Sequence, residues 1–333
     1  MVGKERIMGN GKNLKEFIKL MNRYSSEKEP YLFIIDFEMK YPEIHKLSSV
    51  PSGVKFRTPL CSNAAEGQVM NDVISLTRYP VDYETYSEAF NNVYRNISLG
   101  NSYLLNLTFP SFIETDLTLE EIFLASVAKY KLLYNNKFVV FSPEIFIRIS
   151  NGEIKSFPMK GTIDASVDEA EKVILNDMKE MAEHNTIVDL IRNDLSLFAD
   201  RVVVDRYRYI DEIKTDGGVL LQVSSEITGH LHPGYESHLG DIITGLLPAG
   251  SVTGAPKKQT MKIIKESEKY DRGWYTGIFG VFDGKSLDSA IMIRYIEDES
   301  GRLIYKSGGG ITFMSDPEKE YQELISKIYV PVG

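Results

Sequence analysis

Two pairs of glutamates in this sequence have the spacing of a carboxylate metal site. Glu180 and Glu183 are three residues apart in one predicted helix, and Glu320 and Glu323 repeat that spacing in the last one. Residues three apart share a helix face, so each pair can project its carboxylates in one direction. Two such helices could bring these groups to one hard cation, and Mg²⁺ accepts carboxylates, waters and substrate oxygens. The alternative is solvated surface glutamates, because the chain has 47 acidic residues.

Two lysines have positions from which they could react with or bind an anionic substrate. Lys160 stands between Pro158 and Gly161 at the end of a predicted strand. If it is desolvated, its pKa falls and its amine can act as a nucleophile. Lys327 follows Glu323 by four residues, the favourable order for a helical ion pair, and could instead bind a substrate carboxylate. An exposed turn lysine and a surface salt bridge are the alternative interpretations.

Strand ends supply two further candidates. Arg294 closes the apolar run 290–293, and a guanidinium there needs an anion, which is either a substrate carboxylate or a structural ion-pair partner. Glu144 closes another strand, and burial would raise its pKa into the range of a general acid. A strand-end surface glutamate is the alternative for Glu144.

Two segments rich in small residues could approach a ligand with their backbone. Ser251 and Thr253 lie in the loop 250–257, which opens a predicted helix, and its N–H groups and hydroxyls can bind an anion. The loop is not a P-loop, because the spacing G-x-x-x-x-G-K-[ST] is absent. Gly308–Gly310 follow a strand and allow close contact with a ligand.

The composition excludes several classes of protein. Lys and Arg total 38 against 47 acidic residues, and a net charge of -9 argues against nucleic acid or an anionic membrane as the main partner. Cys61 is the only cysteine, so intrachain disulfides and four-cysteine metal sites are excluded. The N-terminus lacks the apolar core of a secretory signal, and no apolar run approaches a membrane span of about 18 residues. We therefore expect a soluble cytoplasmic protein.

Apolar periodicity predicts helices and hairpin-forming strands. Predicted helices cover 14–21, 86–97, 117–130, 168–196, 236–247, a segment from 255 and 317–328. Predicted strands cover 31–37, 102–109, three runs between 138 and 159, 202–206, 219–228, 276–283, 288–297 and 302–307, with loops over 40–80. Asn151–Gly152 is a strong two-residue hairpin signal. Because strands cluster instead of alternating with helices, we predict an α+β fold with large antiparallel sheets.

Seven segments together resemble the chorismate-utilising enzymes. PMKGT, KEMAEHNTIVDLIRNDLS, GSVTGAPK, YTGIFG, SAIMIR, SGGG and SDPEKEYQELISK occur in the family's order within 81–333. The resemblance implies two large antiparallel β-sheets packed face to face with helices outside, and an active site in a cleft between the sheets. It also implies that 81–333 form the catalytic domain and that 1–80 are a reduced N-terminal segment of the same globule.

The resemblance assigns roles to the matching residues. Mg²⁺ would be held by Glu183 and Glu323, supported through water by Glu180 and Glu320, and would grip the ring carboxylate of chorismate. The catalytic residues would be Lys160, which attacks C2, and Glu144, which protonates the departing C4 hydroxyl. The remaining substrate contacts would be Thr162, Ser251, Thr253, Tyr275, Arg294, Gly309, Gly310 and Lys327.

Three positions favour one branch of the family, aminodeoxychorismate synthase component I. Lys160 stands where anthranilate synthases usually have Ala, and Leu104 stands where isochorismate and salicylate synthases have a lysine base. Gln222 replaces a histidine typical of anthranilate synthases. This branch implies ammonia from a separate glutamine amidotransferase subunit and a role in 4-aminobenzoate and folate biosynthesis. The alternatives are anthranilate synthase component I, an isochorismate synthase, or a non-catalytic chorismate-binding subunit.

Overall fold

The computed structural model describes residues 13–64, 74–215 and 218–331, with the side chains of 213–215 and 218 left aside. The α-helices in these ranges are α1 (Leu14–Ser26), α2 (Tyr83–Ser98), α3 (Leu119–Ala125), α4 (Ala170–Asn176), α5 (Met178–Leu195), α6 (Leu239–Gly245), α7 (Lys257–Glu268) and α8 (Pro317–Ser326). The strands of the first half are β1 (Tyr31–Ile35), β2 (Glu43–Lys46), β3 (Val54–Arg57), β4 (Thr77–Tyr79), β5 (Leu104–Glu114), β6 (Tyr130–Tyr134), β7 (Phe138–Ser142), β8 (Ile145–Ser150), β9 (Glu153–Ser156) and β10 (Met159–Asp164). Those of the second half are β11 (Ala199–Thr215), β12 (Gly218–Leu231), β13 (Gly254–Ala255), β14 (Ile278–Phe282), β15 (Leu287–Ile291), β16 (Tyr295–Asp298) and β17 (Leu303–Ile311).

The strands form two antiparallel sheets. The first sheet has the order β10-β12-β9-β8-β15-β14-β1-β2, with β11 added on β12. The second has the order β13-β5-β17-β16-β7-β6-β3, with β4 added on β5. The hairpin predicted at Asn151–Gly152 joins β8 to β9, and both turn residues have positive φ, as a type I′ turn requires.

The main core lies between the sheets. One buried cluster combines side chains of β1, β14 and β15 from the first sheet with side chains of β3, β6, β7 and β16 from the second. Helices α1, α5 and α6 cover the outer face of the first sheet, while α2, α7 and α8 cover that of the second. Successive residues of β1 point into different clusters, so this strand is buried on both faces. The α+β fold with two face-to-face antiparallel sheets is confirmed.

Four predictions about the elements are wrong. The segment 40–80, predicted as loops, contains β2, β3 and β4, which are too short to show periodicity. The predicted helix 117–130 ends at Ala125, because the following residues extend towards β6. The predicted strand 288–297 is two strands in different sheets, β15 and β16. The glycines 308–310 do not follow a strand but lie inside β17, paired with β5.

No helix within the described ranges is long and apolar enough to cross a membrane.

Candidate active site

Four carboxylates approach one another where α5 and α8 meet strand β17. Helix α5 carries Glu180 and Glu183, and α8 carries Glu320 and Glu323, as the spacing predicted. Asp177 caps α5 by accepting a hydrogen bond from the backbone N–H of Glu180 at 2.9 Å. The glutamates continue, in the first turns of α5, the same buried stripe that Ile187, Val188 and Ile191 form further along the helix and pack into the core of the first sheet.

The floor of the carboxylate cluster is the backbone of β17. A Cβ built on Gly310 would lie 2.1 Å from Oε1 of Glu183, and one built on Gly309 would lie 3.5 Å from Oε1 of Glu323. A side chain at Gly310 would therefore displace Glu183. Leu104 of β5 lines the same floor, since its Cδ1 would be 3.2 Å from that Cβ.

Three lysines neutralise three of the four carboxylates. Nζ of Lys160 lies 2.5 Å from Oε1 of Glu183, and Nζ of Lys327 lies 2.6 Å from Oε1 of Glu323. Nζ of Lys179 lies 2.6 Å from Oε1 of Glu320. The first two lysines were expected at the site. Lys179 was missed, although it precedes Glu180 in the sequence, because neighbours in sequence do not share a helix face.

The pKa of Lys160 is raised, not lowered as we predicted for a desolvated lysine. Burial is the largest single influence and would lower it, but the carboxylates of Glu183, Glu144 and Glu180 together outweigh burial and hold the amine protonated. Burial also raises the pKa of Glu180 to about 7, and the neighbouring charge of Glu183 adds to this effect. Burial would raise the pKa of Glu323, but Lys327 lowers it to about 2. The carboxylates and ammonium groups of this cluster thus shift one another's pKa values.

The oxygen donors of this cluster fit a hard cation. Both carboxylate oxygens of Glu320 are buried, and neither accepts a hydrogen bond of ordinary geometry from the described residues. The bare backbone at Gly310 leaves room beside Glu183. In the described ranges, however, no three Asp, Glu, His or Cys side chains converge on one point as metal ligands. Glu183 and Glu323 have to turn from their lysines before they can share an ion.

Glu144 faces the same site from the end of β7. It is buried, and Ser251 donates a hydrogen bond to its Oε1 at 2.5 Å. Burial raises the pKa of Glu144, even though Ser251, Lys160 and Arg294 oppose the shift. A buried carboxyl that keeps its proton can serve as a general acid, as predicted from its place at a strand end.

The loop that carries Ser251 is held tightly against β5. Gly254 has a φ of +123° and a Cβ there would lie 1.9 Å from the carbonyl oxygen of Leu104, so only glycine fits. The buried hydroxyl of Thr253 donates to the carbonyl of Ala249 and closes the loop on itself. The loop therefore presents Ser251 to Glu144 from a fixed backbone.

Arg294 lies at the site and has no acidic ion-pair partner among the described residues. It lies between β15 and β16, where the chain passes from one sheet to the other, with a φ of +52°. Its guanidinium carbon is 5.1 Å from the ring centre of Tyr329, and its buried Nε has no hydrogen-bond partner. In the described ranges no acidic side chain forms an ion pair with it, so a structural ion pair is not its role here. Tyr275 is buried beside it, and burial raises the pKa of that phenol.

The predicted residues do not all converge. Lys160, Glu144, Arg294 and Lys327 affect one another's charge and therefore share one site. Thr162 is exposed on β10, opposite Gln222 of β12, and the described residues give its side chain no hydrogen bond. Its contact with substrate stays a prediction.

A buried arginine that the sequence analysis did not identify, Arg272, holds the loop of Ser251 and strand β5 together beside the site. Arg272 donates to the carbonyl of Val252 at 2.8 Å and to that of Asn106 at 2.6 Å, which ties the Ser251 loop to β5. It also pairs with Glu268 of α7 through two hydrogen bonds. The spacing of Glu268 and Arg272 was the signal available in the sequence, since it is that of a helical ion pair.

Comparison with known proteins places this chain in one family. The family model of the chorismate binding enzymes matches residues 23–332. A PabA-like protein of Pasteurella multocida is 46% identical over 323 residues, which are 96% of this chain and 100% of that protein. Aminodeoxychorismate synthase component 1 of Salmonella typhimurium is 32% identical over 260 residues, 73% of this chain and 56% of that protein.

A solved structure agrees with the fold. The structure of MenF, the menaquinone-specific isochorismate synthase of Escherichia coli, superimposes with a TM-score of 0.70 at 14% identity, covering 94% of this chain and 80% of that one. At this identity the likeness concerns the fold alone. The family match spans most of the chain, and the chain belongs to the chorismate-binding enzymes.

Proposed function

We propose that this protein is an aminodeoxychorismate synthase component I, which aminates chorismate to 4-amino-4-deoxychorismate. The observation that carries the proposal is the position of Lys160, partly buried in the site against Glu183 and within the electrostatic reach of Glu144. An amine placed between a carboxylate that could hold a metal and a carboxyl whose pKa is raised by burial suits covalent catalysis.

The reaction would proceed in two displacements. The amine of Lys160 attacks C2 of chorismate, both ring double bonds shift by one position towards C4, and the C4 hydroxyl leaves as water with the proton of Glu144. Ammonia then attacks C4, both double bonds shift back, and Lys160 is expelled from C2. Before the first step Lys160 has to part from Glu183 and lose its proton, since only the free amine has the electron pair.

The remaining residues would bind the two carboxylates of the substrate. Mg²⁺ held by Glu183 and Glu323, with Glu180 and Glu320 in support, would supply positive charge for the ring carboxylate. Arg294 would bind the enolpyruvyl carboxylate, because it is the buried guanidinium that lacks an anionic partner among the described residues.

Ammonia would come from a separate glutamine amidotransferase subunit in the cytoplasm, and the product would feed 4-aminobenzoate and folate biosynthesis. Leu104 supports this choice among the family's reactions: it lies in the site floor, where a water-activating lysine would be needed for isochorismate. Anthranilate formation is the remaining alternative within the family.

The test is the identity of the product. We expect purified protein with chorismate, Mg²⁺ and excess ¹⁵N-ammonium to give a product of the mass of 4-amino-4-deoxychorismate with one ¹⁵N, which added lyase converts to 4-aminobenzoate. Lys160→Ala should slow turnover by about 10³-fold or more, as loss of a nucleophile does. The matched control is Lys155→Ala, because Lys155 also pairs with a glutamate, Glu226, but lies outside the candidate site.

Other products would contradict the proposal in distinct ways. Anthranilate or isochorismate would keep the family and the site but remove the covalent role of Lys160, as would a fully active Lys160→Ala. Chorismate binding by calorimetry without turnover from any nitrogen source would indicate a non-catalytic chorismate-binding subunit.

A further inference from the structure

A second concave site lies away from the residues discussed so far, where the gap between the two sheets opens to solvent. It is a cavity of about 430 Å³. Its lining comes from the end of β3, the segment before β6, and β8, and consists of Arg57, Thr58, Pro59, Ala128, Lys129 and Arg148. None of these residues belongs to the candidate active site, and three of the six carry a positive charge.

The positive charge in this cavity is poorly compensated. Within the described ranges neither Arg57 nor Lys129 forms an ion pair with an acidic side chain. Arg148 has one, with Asp288 at 3.2 Å, and that carboxylate also accepts a hydrogen bond from Tyr130 at 2.6 Å. The cavity therefore has an excess of cations in a chain whose net charge is -9.

The strand pairing at the cavity adds a fourth cation and a repulsion. Arg57 of β3 and Lys131 of β6 stand directly opposite each other, an arrangement of like charges that destabilises a sheet. Lys131 is buried and donates to the carbonyl of Ser126 at 2.7 Å, with its Nζ 4.7 Å from the ring centre of Phe123. Burial lowers the pKa of Lys131 to about 8, and the charge of Arg57 lowers it further. Such a repulsion is tolerated more easily if an anion occupies the cavity.

We propose that this cavity is a binding site for a small organic dianion, held by Arg57 and Lys129 with Arg148 as its inner wall. The guanidinium of Arg57 matches the two oxygens of a phosphate or carboxylate group, and Lys129 adds a point charge to the lining. Both phosphorylated and dicarboxylate metabolites have this chemistry. The site is separate from that of chorismate, and the proposal does not depend on which reaction the enzyme catalyses.

The test is calorimetric titration of the full chain with inorganic phosphate and, separately, with malonate, at low ionic strength. We expect saturable binding of one anion per chain, weakened about tenfold or more by Arg57→Gln and by Lys129→Gln. The relative strength of the two probes tells phosphate from dicarboxylate recognition. Lys262→Gln, an exposed helical lysine far along the sequence, is the matched control for general surface charge, and Arg294→Gln is the control for anion entry into the active site.

Arg57→Gln has a second readout, because it removes the repulsion with Lys131. Its stability in urea should equal or exceed that of the parent, whereas a purely structural Arg57 would destabilise the fold on substitution. The proposal is overturned if no saturable binding occurs, if Arg294→Gln alone abolishes it, or if Lys262→Gln weakens it as much as Arg57→Gln does.

Discussion

Two groups of charged side chains, one buried and one partly buried, differ in how completely they are paired. The structural cluster consists of Glu268, Arg272, Glu297 and Lys306, and the site cluster consists of Glu144, Lys160, Lys179, Glu180, Glu183, Arg294, Glu320, Glu323 and Lys327. In the structural cluster Arg272 donates to Glu268, Val252, Asn106 and Thr276, and Lys306 lies 2.6 Å from Glu297. In the site cluster Nε of Arg294 has no hydrogen-bond partner among the described residues, although Glu320 pairs with Lys179 at 2.6 Å.

This difference separates charges that hold the fold from charges that await a ligand. A buried ion pair offsets its desolvation only if both partners are also hydrogen-bonded, as Arg272 and Glu268 are. An uncompensated buried guanidinium costs free energy in the free protein, and a substrate carboxylate can remove that cost on binding. The same side chain, arginine, therefore stabilises the protein at one position and, in the proposed function, would bind the substrate at the other.

The largest expected effect is on stability, from Arg272→Met. The variant leaves Glu268 as an unpaired buried charge and frees the Ser251 loop from β5. We expect the free energy of unfolding to fall by about 3–5 kcal/mol, the cost of breaking a buried pair. Urea unfolding followed by circular dichroism measures it. A loss as small as that of a surface substitution would mean that this cluster is not structural.

Arg294→Met should show the opposite pattern. We expect kcat/KM for chorismate to fall about 100-fold, equivalent to about 2.7 kcal/mol, while the free energy of unfolding changes by less than about 1 kcal/mol. Steady-state kinetics and urea unfolding on the same preparation separate the two effects. A large loss of stability without a change in kcat/KM would assign Arg294 to the structural cluster and contradict the comparison.

The crowding of carboxylates should appear as a pH dependence of stability in the metal-free protein. Glu180 has a pKa of about 7 in the folded protein and about 4.3 when unfolded. Its folded form binds the proton more tightly, so its contribution is complete below about pH 4.3 and is lost as the pH rises through 7. We expect Glu180→Gln to remove on the order of 2 kcal/mol of decline between pH 5 and 8 in urea titrations. Parallel profiles for parent and variant would contradict this.

The smallest effect concerns Mg²⁺ affinity. Lys160 forms an ion pair with Glu183. Lys160→Met should therefore free that carboxylate and tighten Mg²⁺ binding by about tenfold, or about 1.4 kcal/mol. Calorimetry with MgCl2 alone measures this without turnover, and Lys155→Met is the control. Weaker binding in Lys160→Met would show that the lysine and the ion do not compete for Glu183.

The sequence predicts the local parts of this site better than the non-local ones. The glutamate pairs follow from helical spacing, which depends only on neighbouring residues, and both pairs lie where expected. The crossing at Arg294 could not be predicted, because the apolar run 290–293 resumes at Tyr295 directly after Arg294, with no Gly, Pro or Asn between β15 and β16 to indicate a turn. Strands β3 and β4 pair with strands far along the sequence, and β2, β3 and β4 have only three or four residues each, too few for an alternating pattern to predict a strand. The ion pair between Lys160 and Glu183 joins a strand to a helix and reversed the expected pKa of the lysine.

The central claim, that Lys160 becomes covalently bound to the substrate, can be tested directly by intact-protein mass spectrometry. Protein mixed with chorismate and Mg²⁺ in the absence of ammonia should gain the mass of chorismate less one water, because the C4 hydroxyl departs when the amine bonds to C2. Peptide mapping should place the added mass on Lys160, and Lys160→Ala and Glu144→Gln should not acquire it. A protein that turns chorismate over with ammonia yet never carries this mass, or carries it on another residue, would contradict the account.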